Sequence, residues 1–129
     1  MTKVAVVEDD TQIREMLEIA IQHIGLEVVS AGDGKRGLDV ILRERPQVAI
    51  LDVMMPGMSG FELCHAAKQL MGARAPYVII LTAKGQPTDV TAGRAHGADL
   101  YLIKPVDMGK LLDHVKKAIS ADTPSAQTP

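Results

Sequence analysis

The sequence predicts an α/β fold, one parallel sheet with helices wound on both faces. Short apolar runs recur along the chain, and amphipathic stretches of helical spacing separate them. The runs are Val4-Ala5-Val6-Val7, Val28-Val29, Val48-Ala49-Ile50-Leu51, Val78-Ile79-Ile80-Leu81 and Leu100-Tyr101-Leu102-Ile103. Four of the five lack polar alternation, as strands buried on both faces do. Size agrees: 129 residues, 47% hydrophobic and 23% charged, suit one domain with its own core.

The helices follow from spacing. Ile13, Leu17, Ala20 and Ile24 share one face of the first, and Leu38, Ile41 and Leu42 one face of the second. Leu63, Ala67, Leu70 and Met71 mark the third, and Leu111, Val115, Ala118 and Ile119 the last. Between strands four and five, Thr88 to His96 is short and weakly apolar, the weakest of the five helical patterns. Right-handed crossovers and a single switch point give a doubly wound sheet of order 2-1-3-4-5, flavodoxin-like (βα)5. The expected domain is 1–120. Residues 121–129 (ADTPSAQTP) read as a disordered tail or linker stub.

Composition narrows the function. Fourteen Lys and Arg against 16 Asp and Glu give a net charge of −2, which argues against direct nucleic-acid binding. With no Trp, one Phe and two Tyr, there is no stacking platform for single strands. One cysteine, Cys64, excludes an internal disulfide framework and suits a reducing compartment. No apolar run approaches the roughly 20 residues of a membrane span. Glu8, Asp9 and Asp10 arrive too early for a secretory signal. A cytoplasmic protein without membrane contact is expected.

In open α/β sheets ligands bind beyond the carboxyl ends of the strands. Strand one ends in Glu8-Asp9-Asp10, strand three in Asp52, strand four in Thr82-Ala83 and strand five in Lys104-Pro105. Strands one and three are neighbours, so Asp52 meets the Glu8-Asp9 pair. Thr82 and Lys104 arrive from the other side. Clustered carboxylates need a cation, and oxygen ligands suit Mg²⁺. Carboxylate, hydroxyl and ammonium beside such an ion form a place to receive a phosphoryl group, with Asp52 the nucleophile. Asp10 or Thr11 caps the first helix.

Val7-Glu8-Asp9-Asp10, the stretch Leu51-Asp52-Val53-Met54-Met55-Pro56-Gly57-Met58-Ser59-Gly60, then Leu81-Thr82-Ala83 and Lys104-Pro105, together resemble the receiver domain of two-component response regulators. The likeness spans about residues 2 to 120. It implies that Asp52 takes a phosphoryl group from a sensor histidine kinase, a phosphotransfer protein or a small acyl phosphate. Asp9 would ligate Mg²⁺ directly, Glu8 mostly through metal-bound water, and the Met54 carbonyl would complete the protein's share. Asp52 would share the metal. Thr82, the Ala83 backbone N–H and Lys104 would hold the phosphoryl oxygens. Thr82 and Tyr101 would form the switch, relaying the change to the face of the fourth helical segment, strand five and the last helix. The Lys104-Pro105 bond would be cis. No enzyme activity beyond the chain's own phosphorylation and dephosphorylation is expected.

Other signals point elsewhere. Gly32-Asp33-Gly34-Lys35-Arg36-Gly37 matches G-x-G-x-x-G, but on an edge strand rather than the switch point, so a turn and helix start explain it. Met54 removes the second acid that a Mg²⁺-dependent phosphatase of the D-x-D type needs. His23, His65, His96 and His114 fall in no metal-ligand spacing, and Cys64 reads as a small core residue. The charge set of the winged-helix class's dimer maps to Val90, Leu100, Lys110 and His114, where three positions lose or reverse it. The salt-bridged pair is not expected, and a weak homodimer and the output partner stay open. The tail favours a receiver followed by more chain over a stand-alone regulator. The alternatives are a constitutive interaction module with a vestigial site, or a phosphatase.

Overall fold

A computed structural model of the chain describes residues 2–82 and 97–122. Five parallel strands, β1 (Lys3–Val7), β2 (Glu27–Ala31), β3 (Val48–Asp52), β4 (Tyr77–Thr82) and β5 (Leu100–Ile103), form a single sheet of order β2-β1-β3-β4-β5. Helices α1 (Thr11–His23), α2 (Gly34–Glu44), α3 (Gly60–Met71) and α4 (Met108–Asp122) connect or follow the strands, with a 3-10 turn at Gly72–Arg74. The last helix, fifth in the sequence reading, is the fourth described. The segment Thr88 to His96 and residues 123–129 lie outside the described residues. The last helix runs to Asp122, so Ala121 and Asp122, which the sequence reading placed in the tail, belong to the helix.

The apolar runs divide by parity, because successive side chains of a strand point to opposite faces. Ala5, Val7, Ala49, Leu51, Val78 and Ile80 pack with Ile41 of α2 and Leu63, Cys64 and Ala67 of α3. Val4, Val6, Val48, Ile50, Ile79 and Leu81 pack with Leu17 and Ile21 of α1 and Leu111, Val115 and Ala118 of α4. Each run lacks alternation because both faces meet a helix layer. Strand β5, at the sheet edge, differs: its residues are half-buried, and Ile103 is exposed.

Three helix assignments shift in detail. Leu42 and Leu70 are exposed, although their spacing placed them on the core faces. Gly34, Gly37 and Ile41 form the buried side of α2, and Ile21 joins Leu17 as the buried pair of α1. A helix buries a narrow stripe, and these apolar residues stand at its margin.

The helices begin at the carboxyl edge of the sheet under side-chain caps. Asp10 accepts from the Ile13 N–H at 3.1 Å and Asp33 from the Arg36 N–H at 2.8 Å. Ser59 and Glu62 form a reciprocal capping box at the start of α3, and Asp107 accepts from the Lys110 N–H.

The G-x-G-x-x-G stretch is explained by packing. A Cβ on Gly37 would lie 2.7 and 2.8 Å from the two Val7 methyls, and one on Gly34 would lie 2.5 Å from the Met58 carbonyl oxygen. Helix α2 therefore rests directly on β1 and on the loop after β3. Helix propensity alone favours Gly37→Ala by about 1 kcal/mol, but the β-branched Val7 cannot swing away. Overpacking wins: Gly37→Ala lowers the unfolding free energy by about 1–3 kcal/mol in urea denaturation. Unchanged or raised stability would show that α2 has room to lift.

Candidate functional site

Parallel register places the ends of β1, β3, β4 and β5 side by side. Val7 pairs with Leu51, Asp52 with Leu81 and Thr82 with Ile103. The residue after each strand, or its last one, then projects into one cleft. Asp52 is the last residue of β3 and is 5% exposed, and Glu8, just past β1, is 2% exposed. Asp9 is exposed beside them. Carboxylate oxygens of Glu8, Asp9 and Asp52 lie within 4.8 Å of one another, the one such cluster of His, Cys, Asp and Glu among the described residues.

Lys104 closes the cleft from β5. Its ammonium nitrogen lies 2.5 Å from Asp52 Oδ1 and 3.7 Å from Glu8 Oε1. Burial alone would lower the Lys104 pKa. The hydrogen bond from its ammonium to Asp52 and the charges of Asp52 and Glu8 outweigh burial and raise it. The Lys104 N–H donates to the Thr82 carbonyl at 2.7 Å, which sets the lysine at the height of β4's last residue. The Lys104-Pro105 bond is cis.

Glu8 carries the strain of the cleft. Its Oε2 accepts from the Asp10 N–H at 3.1 Å, whereas Oε1 is buried without a hydrogen-bond donor. Burial pushes its carboxyl up to about 7; the Asp10 N–H opposes this, and the Asp52 charge adds to it. An orphaned buried oxygen facing two further carboxylates is what an oxygen-seeking divalent cation fits. Glu8, Asp9 and Asp52 thus match the chemistry of a Mg²⁺ site.

The remaining sequence-predicted residues fall as follows. Thr82 is buried at the end of β4, and Tyr101 is half-buried in β5 against the α3-side core. The Met54 side chain is 74% exposed in the loop after β3. Ala83, Val90 and His96 lie outside the described residues. Cys64 is buried, and burial pushes its thiol up to about 11, as expected of an inert core thiol. His23 and His65 are exposed, away from the cleft.

Two supports were absent from the sequence reading. The Arg14 guanidinium donates to the Glu8 carbonyl at 2.8 Å and fixes the turn that carries the acids. A Cβ on Gly60 would collide with the Asp52 carbonyl oxygen, so only glycine lets α3 start against the end of β3. The Gly60 N–H donates to the Val53 carbonyl at 3.0 Å, closing the 53–59 loop. The S-x-x-E spacing of Ser59 and Glu62, a capping-box signature that the sequence reading passed over, signals this start but not the backbone approach.

Four strand ends thus converge on an acidic cluster and one lysine at the carboxyl edge of a flavodoxin-like sheet. Residues 4–116 match the family described as the response regulator receiver domain, and the chain belongs to that family, the receiver domains of two-component systems. It is 38% identical over 119 residues to the transcriptional regulatory protein AfsQ1 of Streptomyces coelicolor, covering 92% of this chain and 51% of that protein. It is 34% identical to the response regulator ArlR of Staphylococcus epidermidis, covering 92% and 53%. The chain spans about half the length of these curated relatives. Among solved structures, the chemotaxis protein CheY4 of Vibrio cholerae superposes with a TM-score of 0.84 at 34% identity, covering 92% of this chain and 98% of that one. Receiver domains bind Mg²⁺ at an acidic pocket, and interact with histidine kinases or phosphotransfer proteins. No helix among the described residues is long and apolar enough to cross a membrane.

The raised Glu8 pKa has a definite sign. The fold prefers the neutral acid, so its contribution to metal-free stability is full below the ordinary value of 4.5 and is lost as pH rises to about 7. Glu8→Gln removes that slope and leaves the metal-free variant about 1–3 kcal/mol more stable than wild type at pH 8. Parallel stability–pH curves for the two proteins would contradict the assignment.

Proposed function

We propose that Asp52 is the phosphoacceptor of a two-component switch, with Glu8, Asp9, Asp52 and the Met54 carbonyl as the protein's share of a Mg²⁺ site. The observation that carries this is the acidic trio within 4.8 Å, with the Lys104 ammonium 2.5 Å from Asp52. A carboxylate oxygen of Asp52 attacks phosphorus. The bond from phosphorus to the donor's imidazole nitrogen breaks, and its electron pair stays on that nitrogen. Mg²⁺, when bound, neutralises charge on the transferring oxygens. Lys104 moves from the Asp52 carboxylate to a phosphoryl oxygen, exchanging one charge-assisted hydrogen bond for another. Thr82 supplies a hydroxyl to a second oxygen.

The switch follows from placement. Thr82 ends β4, its carbonyl accepts from the Lys104 N–H, and Tyr101 lies half-buried two residues before Ile103 in the neighbouring strand. Movement of Thr82 toward the phosphoryl group opens space for the Tyr101 ring. The population of two states then changes on the β5 and α4 face. That face presents Leu100, the exposed Ile103 and Lys110, and half-buried His114. It lacks the charge set of the winged-helix dimer, so we assign it to another protein partner. The donor is a sensor histidine kinase or a phosphotransfer protein. A buried free thiol is compatible with a cytoplasmic location. Retention of both acids, Asp52, Thr82 and Lys104 weighs against the constitutive-module and phosphatase readings.

The first test is a two-dimensional amide spectrum with Mg²⁺, before and after beryllofluoride. Shifts near Asp52, Thr82 and Lys104 that extend to Tyr101, and vanish in Asp52→Asn or on chelation of the metal, are expected. A response to Mg²⁺ without any response to beryllofluoride would reject the switch. The exposed Met54 side chain offers no group to orient an attacking water, so the acyl phosphate lasts minutes or longer. Met54→Asn shortens its lifetime; an equal decay rate in both proteins would remove position 54 from control of hydrolysis.

A further inference from the structure

The Gly32-Asp33-Gly34-Lys35-Arg36-Gly37 stretch borders a second cleft that the phosphoacceptor chemistry does not use. It lies at the β2 edge of the sheet, between α1 and α2, with a volume of about 430 Å³. Ser30 and Gly32 form part of its floor; Arg14, Arg36, Arg43 and Asp39 form its walls. We propose that this groove is an anion site for a small ligand bearing two or more phosphoryl groups, a diphosphate or polyphosphate.

Charge is the first argument. Three guanidinium groups and one carboxylate line the groove, on a chain whose net charge is −2. Helix geometry gathers them: Arg36, Asp39 and Arg43 stand at i, i+3 and i+7, on one strip of α2. Arg14 faces that strip from α1 across the edge strand. Its guanidinium is already positioned, because it donates to the Glu8 carbonyl, a neutral acceptor. No carboxylate lies within ion-pair distance of Arg14 among the described residues. A Cβ on Gly32 would stand 3.2 Å from the nearer guanidinium nitrogen, so glycine keeps the approach open.

The other partners leave donors over. Arg36 meets Asp33 at 3.6 Å and Arg43 meets Glu44 at 3.2 Å, both through Nε, and both arginine side chains are largely exposed. Such exposed pairs hold their partners weakly, and each guanidinium has five N–H donors. The Ser30 hydroxyl is committed to Glu18, so the arginines carry the recognition. Planar forks of donors on two sides of a polar groove match the oxygens of adjacent phosphoryl groups. With one carboxylate on the wall, a single monoanion gains little, whereas two linked phosphoryl groups engage both helices at once. The lining contains no aromatic ring. The selected feature is therefore the phosphate chain rather than a base.

Inorganic pyrophosphate is the probe, titrated in Mg²⁺-free buffer at low salt and followed by amide shifts. Saturable shifts at residues 30–36 and at Asp39 and Arg43 are expected, weakening as salt rises. The double variant Arg36→Gln/Arg43→Gln, at two exposed positions that carry no core packing, loses about tenfold in affinity. Arg14→Gln loses a similar factor. Lys116→Gln/Lys117→Gln removes the same charge from exposed positions on α4 and leaves the affinity unchanged. Equal losses in the lysine control, shifts confined to Asp9 and Lys104, or no saturation at millimolar pyrophosphate would each overturn the site.

Discussion

Two carboxyl groups buried at the carboxyl edge of one sheet are the constraint on which the rest of this structure depends. Glu8 and Asp52 sit at neighbouring strand ends with almost no contact with water. Carboxylates so placed repel each other and lose hydration together, and only positive charge offsets both losses. The Lys104 ammonium supplies one unit, at ion-pair distance from both. Much of the surrounding geometry reads as the means of delivering that lysine and spacing those acids. The Lys104 N–H bonds to the carbonyl of Thr82, Arg14 holds the Glu8 carbonyl, and the Asp10 N–H takes one Glu8 oxygen.

Close backbone approach is the second requirement, and glycine meets it. Gly60 lets α3 start on the Asp52 carbonyl, Gly34 lets the β2–α2 turn touch the loop at Met58, and Gly37 lets α2 lie on Val7. The acidic cleft is therefore walled by helix starts rather than by long loops. Each start is fixed by its own cap, so the acids stand on rigid supports. Gly34 and Gly37 are also the second and third glycines of the stretch that matches a dinucleotide fingerprint by sequence. Their neighbours are Met58 and Val7, so tight helix packing accounts for these two positions of the pattern.

What was legible in the sequence follows from which interactions are local. Val4–Val7 and Val48–Leu51 announce strands buried on both sides because no side chain in them tolerates water. The order of the strands then brings Glu8, Asp9, Asp52, Thr82 and Lys104 together by topology alone. Leu42 and Leu70 misled because an apolar residue at a stripe's margin has the right spacing but no facing partner. Strand β2 showed only its two valines, since Glu27 and Ser30 belong to a half-exposed edge strand with less apolar need. Arg14 and Gly60 were invisible for a different reason. Arg14 acts on the Glu8 carbonyl and Gly60 on the Asp52 carbonyl, and no side-chain pattern records where a carbonyl points.

The cleft is also where the fold departs from its own rules. Elsewhere the described side chains obey a simple economy of apolar contacts within two layers, with caps at the helix starts. At Glu8 an oxygen is buried without a donor, and the carboxyl is pushed up to about 7. An apolar residue there would pack at no electrostatic cost, so stability does not account for the acid. The arrangement fits the proposed role, in which a cation faces Glu8, Asp9 and Asp52 and a phosphoryl group comes to Lys104. Anything that binds the folded cleft and not the unfolded chain returns that cost as stability. Under the proposed function, the receiver couples its folding balance to the chemistry at Asp52. A change of charge at one strand end can then be felt at the next, because Thr82 and Lys104 are joined through their backbones.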